Sequence, residues 1–130
     1  IISFNVISEL YDLFKVEVSN YWETHYNFDK TSVLKKKKMT NSFIDLILIN
    51  TILPIRFAYE QSIQKQSSTE IIELIEAIQP EKNIIVDRFA TIGIIAENAF
   101  QTQSLLQLKK EYCDHKKCLQ CAIGIHLLKN

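Results

Sequence analysis

A chain of 130 residues, 47% hydrophobic and 23% charged, has the size and composition of one globular domain with a real core, which excludes a disordered segment. It holds only two glycines and two prolines, and turns that scarce favour helices over a many-stranded sheet. The net charge is zero but uneven: residues 30–38 carry five lysines and no acid, while residues 105–130 carry five lysines against two acids.

In chain order, Phe4, Ile7, Leu10, Tyr11 and Phe14 recur at helical spacing, and Val18, Tyr21, Trp22 and Tyr26 do so again. Lys15-Val16-Glu17 between them reads as a kink or short loop. The opening residues Ile1-Ile2-Ser3-Phe4 include no methionine and read as the inside of an element. A C-terminal fragment of a longer, cytoplasmic protein is expected, with no signal peptide. Residues 27–40 read as a polar, lysine-rich connection.

A long helix is predicted from Asn41 to Gln64, capped by Thr40 or Asn41 and apolar on nearly every face of its first half. Pro54 lies inside it and cannot donate to the Asn50 carbonyl, so a kink is expected there with Asn50 and Thr51 nearby. The apolar run Phe43 to Ile55 is interrupted by Asp45, Asn50, Thr51 and Pro54 and is too short to span a bilayer, so no membrane is expected.

Ser67 and Glu70 have capping-box spacing ahead of Ile71, Ile72, Leu74, Ile75 and Ile78, in a helix ended by Pro80. Ile84, Ile85, Phe89 and Ile92 form the next stripe, with Gly93 placed as its C′ residue. Ile94-Ile95-Ala96 reads as an extended link. A last helix starts near Asn98 and carries Leu105, Leu106, Leu108 and Tyr112 toward the cysteines. The predicted fold is all-α: a single-domain bundle of about five or six helices around a kinked central helix, over residues 1–130.

All three cysteines fall in one run, Cys113, Cys118 and Cys121, a C-x4-C-x2-C spacing with His115 inside and His126 beyond. Zinc takes thiolate and imidazole ligands tetrahedrally, so Cys113, Cys118, Cys121 and His126 form one candidate set, with His115 or His25 as the other options for the fourth place. Only nine residues follow Cys121 and none is cysteine, which excludes a four-cysteine iron–sulfur cluster within one chain. Two further readings stay open. The cysteines are small buried or redox-sensitive residues, or Cys118 or Cys121 is a redox or nucleophilic centre in an enzyme. No catalytic constellation accompanies them.

Lys35, Lys36, Lys37 and Lys38, with Lys116 and Lys117, are the candidate nucleic-acid contacts, against the plainer reading of a solvated loop. The aromatic run Tyr21 to Tyr26 reads as core packing or a pocket lining. The favoured function is a non-catalytic accessory or interaction domain whose cysteine end is stabilised by zinc or by packing and which assists nucleic-acid binding.

Several segments carry a family resemblance: Lys15-Val16-Glu17 followed by Tyr21 to Tyr26, the run Leu48 to Tyr59 with its Asn-x3-Pro element, and Gln103 to Leu108 leading into Tyr112-Cys113. In that order they resemble the C-terminal part of a bacterial family known only as domain of unknown function 2851. The resemblance implies that this chain is the last third or so of longer proteins, with the rest of that polypeptide as its first partner. The preceding part is reminiscent of a restriction-endonuclease-like fold, so any catalytic acids would lie outside these residues. The family pattern features the cysteines and Gly124, and it has no function to transfer.

Overall fold

The structure, a computed structural model, describes residues 6–64 and 68–129. The chain divides into two compact units, Ile1–Glu70 and Ile71–Asn130. Among the described residues there are seven helices and one two-stranded hairpin, an all-α architecture as predicted.

In the first unit, α1 (Ile7–Leu13) buries Leu10 and ends before the loop at Lys15-Val16-Glu17. The second aromatic stretch is not one helix. A single helical turn, α2 (Asn20–Glu23), gives way to a hairpin of β1 (His25–Asn27) and β2 (Lys30–Thr31), so Tyr26 sits on a strand. The turn residues explain the difference. Asp29 takes a left-handed φ of 59°, a conformation that Asp tolerates better than most side chains. The residues read as a connection therefore begin with this hairpin. The strand pattern extends as Ser32 N–H donates to the Thr24 carbonyl (2.7 Å) and Lys35 N–H to the Glu23 carbonyl (2.9 Å).

The long helix α3 (Asn41–Ser62) is the core helix of this unit. Thr40 caps it, its hydroxyl accepting from Phe43 N–H at 3.3 Å. The irregularity expected at Pro54 takes the form of a π turn over Leu48–Ile52, and α-helix resumes at Leu53–Ser62 with Pro54 in its first turn. Asn50 Nδ2 donates to the Leu46 carbonyl at 2.9 Å, so its amide serves the backbone of the wider turn.

The π turn also sets which residues are buried. At about 100° per residue, Leu53 would lie roughly opposite Ile44 on an unbroken α-helix. With the extra residue in one turn, Ile44, Leu48, Ile49, Leu53 and Glu60 are all buried, while Ile55 is left exposed. At 22 residues, α3 is long and apolar enough by length and composition to cross a membrane, whereas the interrupted run Phe43 to Ile55 within it is too short alone. Its polar side chains Asp45, Arg56 and Glu60 are bonded within the unit.

Glu60 is buried because Arg56 Nε reaches its carboxylate at 2.8 Å, one helical turn away. A second guanidinium nitrogen of Arg56 binds Glu70 at 3.0 Å. That is where Glu70 is engaged; the capping box proposed with Ser67 lies outside the described residues.

In the second unit, α4 (Ser68–Glu76), which begins before the boundary, carries buried Ile71 and Leu74 toward buried Ile78. Helix α5 (Ile84–Thr91) is capped by Asn83, whose side chain accepts from Ile85 N–H at 2.9 Å. It ends on Gly93 at φ 86°, with Ile94 N–H returning to the Phe89 carbonyl, the glycine termination anticipated from sequence. Asn98 caps α6, which runs as Ala99–Gln107 and continues as a π segment Leu108–Cys113. Ala99 N–H donates to the Ile78 carbonyl at 2.9 Å, and fully buried Thr102 donates to the Ala99 carbonyl. Gln103 Nε2 reaches Glu81 at 3.0 Å, so the α4–α5 connection is tied to the start of α6. Helix α7 (Ala122–Lys129) closes the unit.

Arg56 binds two carboxylates, one of them buried, so Arg56→Ala should destabilise the protein by about 3 kcal/mol. Glu70→Ala, at a position 44% exposed, should cost under about 1 kcal/mol. Urea unfolding of both variants measures the difference, and equal losses would contradict the greater weight of the buried Arg56–Glu60 pair.

Candidate functional site

The cysteine end is built by a sharp reversal after α6. Lys116 N–H donates to the Cys113 carbonyl (3.1 Å) and Lys117 N–H to the Tyr112 carbonyl (2.9 Å), with Lys116 left-handed at φ 54°. A 3-10 turn over Cys118–Gln120 follows, Cys121 N–H donates to the Cys118 carbonyl, and Ile125 N–H to the Cys121 carbonyl starts α7. Lys109 pairs with Asp114 across the reversal at an exposed position.

The thiols of Cys113 and Cys118 are exposed and that of Cys121 is buried; all three are free. His126 lies on α7 and His115 in the reversal. Among the described residues no three His, Cys, Asp or Glu side chains come together as a group able to hold a metal ion. What the structure does bring together is backbone. A Cβ on Gly124 would stand 2.3 Å from the Cys118 carbonyl oxygen and 3.0 Å from its carbonyl carbon. The spacing Cys118, Cys121, Gly124 is therefore also a steric one: the residue three beyond Cys121 must lack a side chain for α7 to pass over the Cys118 peptide.

The lysine segment belongs to the first unit. Lys36, Lys37 and Lys38 line a cleft of about 660 Å³ together with Tyr11, Phe14 and Ile44. Lys36 faces Glu17 at 3.7 Å with both side chains largely in water, a pairing worth little. Lys37 donates to the His25 carbonyl and lies over the Tyr26 ring, 3.5 Å from its centroid. Lys30, Lys35 and Lys38 have no acidic partner among the described residues. Lys116 and Lys117 are exposed on the reversal of the second unit.

Beside the cleft, Tyr11 donates its hydroxyl to Asp45 of α3. Burial, then this hydrogen bond and the charge of Asp45, push the Tyr11 hydroxyl well above the ordinary tyrosine range. The contact joins residues 34 apart in sequence, and no local spacing announces it. The aromatic run forms a connected cluster. Tyr21 stacks on His25 at 3.9 Å between centroids, and Trp22 meets Tyr21 and Phe28 edge-on, each at 5.1 Å. Phe28 escaped the sequence reading, although Asn27 and Asp29 on either side of it are turn formers.

Gly124→Ala forces a backbone overlap and should cost about 2 kcal/mol, with faster maleimide labelling of Cys121. Gly93→Ala, where a Cβ meets nothing within 4 Å, carries only the left-handed backbone penalty of about 1 kcal/mol and should leave the labelling unchanged. Equal losses and unchanged labelling in both variants would remove the steric role of Gly124. For Tyr11, a neutral hydroxyl bonded in the folded state means that its contribution is intact below pH about 10 and fades as the pH rises further. Tyr11→Phe should lose about 2 kcal/mol at neutral pH and show a shallower alkaline fall in unfolding free energy than the parent. Parallel pH profiles would contradict this.

No curated protein and no solved structure matches this chain. A family model described as protein of unknown function (DUF2851) matches residues 1–84. The match takes in the hairpin, the lysine segment and all of α3, whereas the cysteine run at 113–121 lies beyond it. With well over half of its residues matched, the chain belongs to the DUF2851 family, whose function is unknown.

Proposed function

We propose that this chain is a helical accessory domain that holds nucleic acid by its phosphates, through Lys35 to Lys38 on the first unit. One observation supports this above the others: of five lysines within residues 30–38, a single one faces an acid among the described residues, and that pair is exposed. Neighbouring ammoniums repel one another, and a fold gains nothing by concentrating them unless an anion offsets the repulsion. Phosphates do so, releasing their condensed counterions. Backbone bonding supports the placement, since Lys35 N–H to the Glu23 carbonyl anchors the start of the run to α2.

Such binding is governed by salt. Affinity for a short duplex should fall steeply as salt rises from about 50 to 200 mM, and changing Lys35 to Lys38 to Gln together should weaken it at least about tenfold and lower the log–log salt slope by about 2 to 4. Lys116→Gln with Lys117→Gln tests the second unit, where a smaller loss is expected. Fluorescence anisotropy reads each case, and absence of binding at about 50 mM salt ends the proposal.

A further inference from the structure

The hairpin beside the lysines exposes two large rings that serve no buried core: Phe28 is 75% exposed and Tyr26 61%. Both are held in place. Phe28 occupies the hairpin turn, braced edge-on by Trp22, while the backbone N–H of Asp29 donates to the Tyr21 hydroxyl at 3.2 Å. Tyr26 carries the Lys37 ammonium over one face, which leaves its exposed area on the other face and its edges. Exposed rings followed in the chain by a lysine run, of which Lys35 and Lys38 have no acidic partner among the described residues, set two requirements for an occupant: flat π faces and closely following negative charge. Duplex nucleic acid offers the charge but keeps its base faces inside the stack. A single strand offers both.

We propose that the α2–hairpin surface is a stacking platform for single-stranded nucleic acid, with Phe28 and Tyr26 receiving bases and Lys35 and Lys38 holding the adjoining phosphates. This rests on the phosphate-binding reading above and adds the strand preference and the residues that set it. The rings are sequence-tolerant readers because every base has a π face. Trp22, the chain's one tryptophan, touches Phe28 and reports on the platform directly.

The test uses the whole chain with an oligothymidine of ~12 nucleotides and a duplex of equal length at one salt concentration. The single strand should bind at least about tenfold more tightly and change Trp22 emission. Phe28→Ala should weaken single-strand binding about tenfold while duplex binding stays within about twofold. Phe28→Leu keeps apolar bulk against Trp22 but has no π face, so it should match Phe28→Ala in binding while retaining the parent's circular dichroism. Equal affinity for the two probes, or equal loss on both in the Phe28 variants, overturns the platform and leaves phosphate binding standing. Failure of the parent to bind either probe overturns both.

Discussion

The π turn in α3 is the constraint on which the first unit depends. Proline at position 54 removes one backbone donor, and the turn before it absorbs the loss by widening over Leu48–Ile52. Widening rotates everything downstream. Leu53 comes to the side already occupied by Ile44 and Leu48, and Arg56 and Glu60 follow it inward, where they pair. Upstream of the turn, Asp45 keeps the phase that lets it receive the Tyr11 hydroxyl. A regular helix of the same sequence would turn Leu53 away from the Ile44 side and break this continuity.

What could be read from the sequence follows from how far each signal reaches. Helix ends are decided within four residues, so the Thr40 cap, the start of α6 at Asn98 and the left-handed Gly93 stand where spacing placed them, while the Asn83 cap went unread. Burial along α3 was less legible, because a 3.6-residue period assumes an unbroken ladder and the π turn breaks it at one point. The hairpin was missed for a related reason: Val18, Tyr21, Trp22 and Tyr26 fit helical spacing, and only the Asn27–Asp29 turn chemistry argues otherwise. Tyr11 with Asp45, and Arg56 with Glu70, join residues too distant for any local pattern.

The cysteine run shows how one spacing supports two physical accounts. As residue types, three thiols near two histidines read as metal ligands. As geometry, the same interval positions Gly124 over the Cys118 carbonyl, and a backbone approach that close requires glycine whatever the thiols do. The reversal is held by the bonds from Lys116 and Lys117 to the end of α6, and Cys121 is buried just beyond it.

An isolated two-stranded hairpin is marginal in water, and this one is short even by that measure. Its persistence comes from side chains: the Tyr21 hydroxyl on the Asp29 backbone, Trp22 against Phe28, and Lys37 on both the His25 carbonyl and the Tyr26 ring. Each of these contacts also orders a group at the surface, so the forces that keep the hairpin folded are the ones that fix the rings and the start of the lysine row. Pre-organisation of that kind reduces the entropy lost when a ligand arrives. The ammoniums supply attraction that salt screens within about 10 Å, whereas stacking on the rings is insensitive to salt. On the platform reading proposed above, a surface combining the two would keep a preference for exposed bases under conditions where charge alone no longer holds a polyanion.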